Sequence, residues 1–168
     1  YQIDAAMRAF GMPMGPYELQ DLTGLQIAWA NRQRQSGMRD KNERYVDIAD
    51  QLCNLGRLGQ RTGAGWYTYN EGHRVPQRDP EVERLILEYS DTHEIARRTF
   101  SAEQISKRLL AVLANEGARI VEEGIAEQMA DVDTVQMNGY GFPRRRGGPM
   151  HYASELGWGT TSEIMKKV

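Results

Sequence analysis

The chain has a single cysteine, Cys53, so no internal disulfide can form. Its setting, Ile48-Ala49-Asp50-Gln51-Leu52-Cys53, is that of a small apolar core residue rather than of a nucleophile. Histidine is nearly as scarce: His73, His93 and His151 lie far apart and no pair has ligand spacing on one helix, so a metal centre is not expected. Charge of either sign is not in excess. Lys and Arg number 21 against 23 Asp and Glu, a formal net charge of -2, which gives no general attraction to nucleic acid or to anionic membranes. No apolar run approaches the roughly 20 residues needed to span a bilayer, and no signal peptide begins at Tyr1. An initiating methionine is absent too, which points to a segment cut from a longer chain, with any targeting signal on the missing part. What is present, 168 residues with 40% apolar content, suffices for one ordinary core or two small helical ones.

The most informative feature is an internal repeat. Ile3-Asp4-Ala5-Ala6-Met7, then Gly11-Met12-Pro13-Met14-Gly15-Pro16 to Gly24, returns as Val132-Asp133-Thr134-Val135, then Gly141-Phe142-Pro143 and Gly148-Pro149 to Gly157. From the glycine of the Gly-Pro pair to the closing glycine the span is nine residues in both copies, although Arg144-Arg145-Arg146 inserts into the second. The spacing predicts a duplicated helix, Gly-Pro turn, helix unit. A long helix leads into the second copy only, again as if the first were truncated.

Between these landmarks the signals are helical. Asp4 to Phe10 predicts a short helix stopped at Gly11 and Pro13. A second starts at Gly15-Pro16 with Glu18 in its first turn, a third covers Leu25 to Ser36 with Gly37 as its stop, and Tyr45, Ile48, Ala49 and Leu52 predict an amphipathic helix over Asn42 to Leu55. Gly56 to Gly65 is too rich in glycine for helix and Trp66-Tyr67-Thr68-Tyr69 has strand composition, so a glycine loop leads into a short extended segment. Asp79-Pro80 caps a helix carrying Val82, Leu85, Ile86 and Tyr89. The polar stretch Ser90 to Arg98 marks a domain boundary, giving repeats over 1–97, truncated at its N-terminus, and 98–168. Ser101 and Gln104 match a capping box. The long helix after them is expected to turn Ile105, Leu109, Val112, Leu113, Glu116, Ile120 and Val121 inward, and Asp131 to cap the next. The fold class is all-α, with alternate helices antiparallel.

Two motifs then carry a family resemblance. Gly11-Met12-Pro13-Met14-Gly15-Pro16-Tyr17-Glu18-Leu19-Gln20-Asp21, followed by Gly59-Gln60-Arg61-Thr62-Gly63-Ala64-Gly65-Trp66-Tyr67-Thr68-Tyr69, resembles the C-terminal helical domain of L-3-hydroxyacyl-CoA dehydrogenases. The second copy, with Asn115-Glu116-Gly117 and Gly139-Tyr140-Gly141-Phe142-Pro143-Arg144-Arg145-Arg146-Gly147-Gly148-Pro149, is similar to the tandem repeat of the large multifunctional fatty-acid oxidation enzymes. The resemblance covers essentially the whole chain. It implies an NAD-binding Rossmann domain before this region, an enoyl-CoA hydratase domain before that, and oxidation of a 3-hydroxyacyl-CoA with hydride passing to NAD. In that family a histidine base oriented by a glutamate comes from the Rossmann side, assisted by an asparagine on the first long helix, which would lie upstream of Tyr1.

The resemblance therefore implies no catalytic or cofactor-binding residue in this chain, and activity only from the parent enzyme. Gly63-Ala64-Gly65 starts like a dinucleotide fingerprint but is preceded by a helix and followed by aromatics. In the second copy Lys107 stands at the asparagine position and cannot supply an amide's paired donor and acceptor. The candidate substrate-binding residues are Met12, Pro13, Met14, Gly15 and Pro16: two flexible thioethers suit varied acyl chains and the glycine permits close backbone approach, with a tight helix-helix corner as the alternative. Arg144, Arg145 and Arg146 offer either a phosphate or acid contact or a solvated turn, and a buried Glu116 would need an arginine partner, which that turn could supply. A rival function is assembly, with the repeats docking a thiolase or a second copy of the chain. The expected location is cytoplasmic, a bacterial cytoplasm being favoured over a peroxisomal matrix.

Overall fold

The computed structural model describes residues 1–40 and 44–166. Among these the chain is all-α. Nine helices follow in order: α1 Gln2–Phe10, α2 Pro16–Thr23, α3 Leu25–Gln35, α4 Ile48–Asn54, α5 Pro80–Thr92, α6 Ala102–Glu122, α7 Met129–Gly139, α8 Pro149–Leu156 and α9 Trp158–Lys166. Short 3-10 turns occupy Ser36–Met38, Gln60–Thr62 and Arg144–Arg146. The segment after the glycine loop is extended and held by isolated bridges such as Thr68 with Gln77 rather than by a sheet.

Two compact units result. The first contains Tyr1 and Pro16–Thr99, and its core joins Leu25, Ile48, Leu52, Cys53, Trp66, Tyr67, Val82, Leu85 and Tyr89. In the second, Gln2–Gly15 pack with the chain from Phe100 onward. There Met7 and Phe10 of α1 meet Leu110 of α6 and Phe142, while Ala114, Met150 and Ala153 form a smaller cluster. The compact units part at 99/100, and residues 2–15 join the second of them. Their apolar face fixes this: Met7 and Phe10 lie one helical turn apart on α1 and are both buried there.

The repeat is preserved in backbone geometry. Gly24, before α3, has φ 92° and ψ 127°, and Gly157, before α9, has φ 91° and ψ 127°. Only glycine adopts that conformation without strain, so each copy kinks two short helices at the same place.

Several local expectations change. The helix expected over Asn42 to Leu55 runs only from Ile48 to Asn54; Asn42 lies outside the described residues. Tyr45 precedes the helix, its hydroxyl donating to Asp50 Oδ2 at 2.6 Å and its ring lying under the Arg39 guanidinium at 3.5 Å. On α6 the buried residues are Leu110, Ala111, Ala114 and Gly117, whereas Val112 is 48% exposed. Leu109 and Leu113 of the expected stripe pack partly buried against the Met7 and Phe10 cluster, and at Gly117 no side chain is tolerated because α8 comes close: a Cβ there would fall 2.5 Å from Met150 Sδ. Glu116 is exposed and its carboxylate is 3.7 Å from Arg119, so it needs no arginine from the 144–146 turn. Gln128, not Asp131, is the N-cap of α7; Asp131 sits three residues on and accepts from the Gln128 N–H at 3.1 Å, the reciprocal half of a capping box. The Ser101–Gln104 box and the Asp79 cap of α5 form as expected.

Candidate functional site

The glycine loop closes on a carboxylate. Asp21, near the end of α2, is fully buried. Its Oδ1 accepts from the Trp66 N–H at 2.8 Å, and its Oδ2 from the Tyr67 N–H at 2.9 Å and the Tyr69 hydroxyl at 3.0 Å. The glycines make room for it: a Cβ on Gly65 would lie 2.0 Å from Asp21 Oδ1, and one on Gly59 2.4 Å from the Asp21 carbonyl oxygen. Burial pushes the Asp21 carboxyl above its ordinary value, opposed by these donors and by the Arg57 charge. Arg57 also ties the loop to α5, donating from Nε to the Gly65 carbonyl at 3.0 Å and from Nη2 to Asp79 at 2.6 Å. The Gly63-Ala64-Gly65 turn therefore does not fit a dinucleotide, because the N–H groups that follow it already hold an internal anion.

A second buried acid sits beneath each Gly-Pro turn. Asp133 on α7 accepts from the N–H groups of Met150 at 2.7 Å and His151 at 3.1 Å, capping α8 from outside its own sequence neighbourhood. A Cβ on Gly148 would fall 2.2 Å from Asp133 Oδ1. The first copy repeats the approach: Asp4 is 1% exposed, and a Cβ on Gly15 would fall 2.2 Å from its Cβ and Cγ. Only glycine fits over either carboxylate.

These contacts position the candidate substrate residues. Met12 packs partly buried against the Met7, Phe10, Leu110 and Phe142 cluster. Pro13 is exposed, Met14 half-buried and Gly15 buried, while Pro16 opens α2 in the first unit. The Pro13 carbonyl accepts from Arg8 Nη1 at 3.0 Å. Within the second unit the two copies clasp reciprocally: a Cβ on Gly11 would sit 3.0 Å from Pro143 Cγ, and one on Gly141 2.7 Å from Pro13 Cγ. Met12 to Gly15 is thus a largely apolar strap, its backbone held at the Pro13 carbonyl and at Gly15.

Other candidates are dispersed. Lys107 pairs with Glu103 at 2.7 Å on the exposed side of α6, a contact that raises the lysine and lowers the glutamate from their ordinary values. Cys53 is in the first core, and its thiol is pushed up by burial. His93 stacks on Tyr89 and His151 lies 3.9 Å from Glu155. Among the described residues no group of acids, histidines and cysteine gathers as a metal site. Sequence reasoning passed over Asp4, Asp21 and Asp133. The signal for two of them was available: the same acid precedes the Gly-Pro pair in both copies.

The chain matches the family described as 3-hydroxyacyl-CoA dehydrogenase, C-terminal domain, over residues 1–69 and 105–168. It is similar to the peroxisomal bifunctional enzymes of Pongo abelii and Homo sapiens, each 40% identical over 178 residues that take in 99% of this chain and 25% of the relative. The chain spans about a quarter of the length of these relatives. In fold it is similar to the dehydrogenase part of multifunctional enzyme 1 from C. elegans, with a TM-score of 0.69 at 23% identity, covering 99% of this chain and 38% of that one. The names of the relatives overturn the expectation of a bacterial cytoplasm: both are peroxisomal enzymes. The single cysteine fits either compartment and so could not have separated the two.

Proposed function

Because the chain belongs to the family of 3-hydroxyacyl-CoA dehydrogenase C-terminal domains, we propose that it is the helical part of a peroxisomal multifunctional enzyme that oxidises 3-hydroxyacyl-CoA esters in fatty-acid β-oxidation. Repeats 1–97 and 98–168 are a duplication within that part. NAD is bound by a Rossmann domain outside this chain, the hydratase is a further domain, and the chain alone is inactive. Its contribution is a wall of the acyl-CoA cleft made by Met12, Pro13, Met14, Gly15 and Pro16, together with packing surface for the sister domains.

The observation that carries the cleft reading is the way the strap is held. Asp4 lies beneath Gly15 and Arg8 grips the Pro13 carbonyl, which leaves Pro13 exposed and Met14 half-exposed on a fixed backbone. Thioethers on a rigid support adapt to acyl chains of different length without reorganising the main chain. In the intact enzyme Met14→Trp should raise KM for long acyl chains several-fold while kcat changes little, the pattern of lost uniform binding. Equal kinetics across chain lengths would remove the strap from the cleft. The division of labour is tested by NADH production from a 3-hydroxyacyl-CoA, first with the chain alone and then with the parent's Rossmann portion, extended through the upstream asparagine helix, added in trans. Silence followed by activity on mixing supports the reading. Activity from the chain alone overturns it, and silence in both, with both pieces folded, favours assembly as the function.

A further inference from the structure

Arg144, Arg145 and Arg146 are all exposed on one 3-10 turn. Arg145 and Arg146, with His151, Tyr152, Glu155 and Leu156, line a surface pocket of about 300 Å3. What orders two of these guanidinium groups is neutral. Arg144 Nη2 donates to Asn138 Oδ1 at 2.6 Å, and Arg146 lies over the Phe10 ring at 5.0 Å. Among the described residues no carboxylate pairs with any of the three, and the one acid lining the pocket, Glu155, is nearest His151 at 3.9 Å. Neutral partners fix the direction of a cation without cancelling its charge, which is the preorganisation an anion site needs. The adjoining helix start is not the attractor, because Asp133 already takes the Met150 and His151 N–H groups.

We propose that this turn and pocket bind a phosphate ester, specifically the phosphorylated ribose end of a coenzyme A thioester. The identification of the ligand rests on the acyl-CoA reading above; the anion site rests on the arginines alone. A phosphate presents several acceptor oxygens to forked guanidinium donors, a geometry that lysine meets only as a point charge. A nucleic-acid backbone is disfavoured, since a single turn on a chain of net charge -2 offers no stripe to follow it.

The test uses the intact natural protein. Adenosine 3′,5′-bisphosphate is titrated by calorimetry against the parent, the combined Arg144→Gln, Arg145→Gln and Arg146→Gln variant, the corresponding triple Lys variant, and Arg119→Gln as an exposed control. Loss of the three charges should weaken binding at least about tenfold, Lys should retain part of it, and the control should match the parent. The dehydrogenase KM for a CoA thioester should rise in the Gln variant, while that for the dephospho-CoA thioester should not. Equal bisphosphate affinity in parent and Gln variant, with unchanged thermal midpoints, overturns the site. If bisphosphate binding needs the arginines but the intact protein oxidises no 3-hydroxyacyl-CoA, the anion site stands and the functional reading falls. The reverse pattern removes the site alone.

Discussion

Asp21 has three donors for its two oxygens, all supplied by residues 66–69, and two glycines that vacate the space it fills. Replacing it by Asn keeps the shape but substitutes an NH2 for one acceptor, so a donor among the Trp66 and Tyr67 N–H groups and the Tyr69 hydroxyl loses its partner. A buried donor left unmade costs about 1–3 kcal/mol, and denaturant unfolding of Asp21→Asn should show a loss of that size. Gly65→Ala drives a methyl into the same carboxylate, and overpacking of this kind costs about 1–3 kcal/mol; a stability equal to the parent's would contradict the cradle. The direction of the Asp21 shift sets a pH signature. Because burial raises its folded value, the native state holds the proton more tightly than the unfolded chain, whose value stays near 3.8. Its contribution is therefore greatest below that value and falls as pH climbs through the raised folded one. The stability of the parent relative to Asp21→Asn should decline across that window, and a rise would reverse the assignment of burial as the dominant cause.

At the level of elements, α6 separates what pattern shows from what packing decides. A choice of inward face by large apolar residues selects a stripe that includes Val112 and also carries Glu116, yet the fully buried positions are Leu110, Ala111, Ala114 and Gly117; Leu109 and Leu113 of the stripe pack partly buried against the Met7 and Phe10 cluster, while at Gly117 α8 lies too close for any side chain. Leu110→Ala should cost about 2–5 kcal/mol, whereas Val112→Ala, at a half-exposed position, should stay within about 0.5 kcal/mol in the same denaturation assay; comparable losses would restore the wider stripe. Two of the three expected caps, the Gly-Pro starts and the glycine loop were legible because each is a local device whose residues sit together in sequence; the α7 cap was placed on Asp131 instead of Gln128. The Asp79 and Ser101 caps and the Pro16 and Pro149 starts form where the residues say. The length of α4 was not legible, since Tyr45 has helical spacing but satisfies Asp50 from outside the helix. The acids under the Gly-Pro turns recur at the same place in both copies, but the capping role of Asp133 was not legible: the acid and the N–H groups it caps are separated by a whole loop. Residues 12–16 are proposed as a cleft wall on family resemblance, and nothing in their own periodicity distinguishes a cleft wall from a corner.

At the scale of the whole molecule, repeats and compact units divide the chain differently. The second unit borrows α1 from the first copy: Met7 and Phe10 are 7% and 8% exposed, and the residues they meet, Leu110 and Phe142, are 2% and 1% exposed. Phe10 also packs edge-on to Phe142 and Tyr152, with centroids 5.6 Å and 5.5 Å away. The Gly11–Pro143 and Gly141–Pro13 contacts make the arrangement reciprocal, each copy receiving the other's proline over its own glycine, as in an isologous interface. A fragment of residues 98–168 should therefore be an incomplete fold although it is the whole of the proposed second repeat. Burying a Phe or Met side chain stabilises by about 1.5–3 kcal/mol, so loss of Met7 and Phe10 together removes a large share of the roughly 5–15 kcal/mol that holds a domain. The fragment alone should unfold at low denaturant with a weak near-ultraviolet signal. Adding a peptide of residues 1–15 should raise both the midpoint and that signal in a concentration-dependent way, because the peptide binds only the folded form. The same fragment with Phe142→Ala should respond far less, since the pocket for Phe10 is then gone. A fragment already cooperative without the peptide, and indifferent to it, would show that the repeat is a folding unit by itself and that α1 is an ornament on its surface.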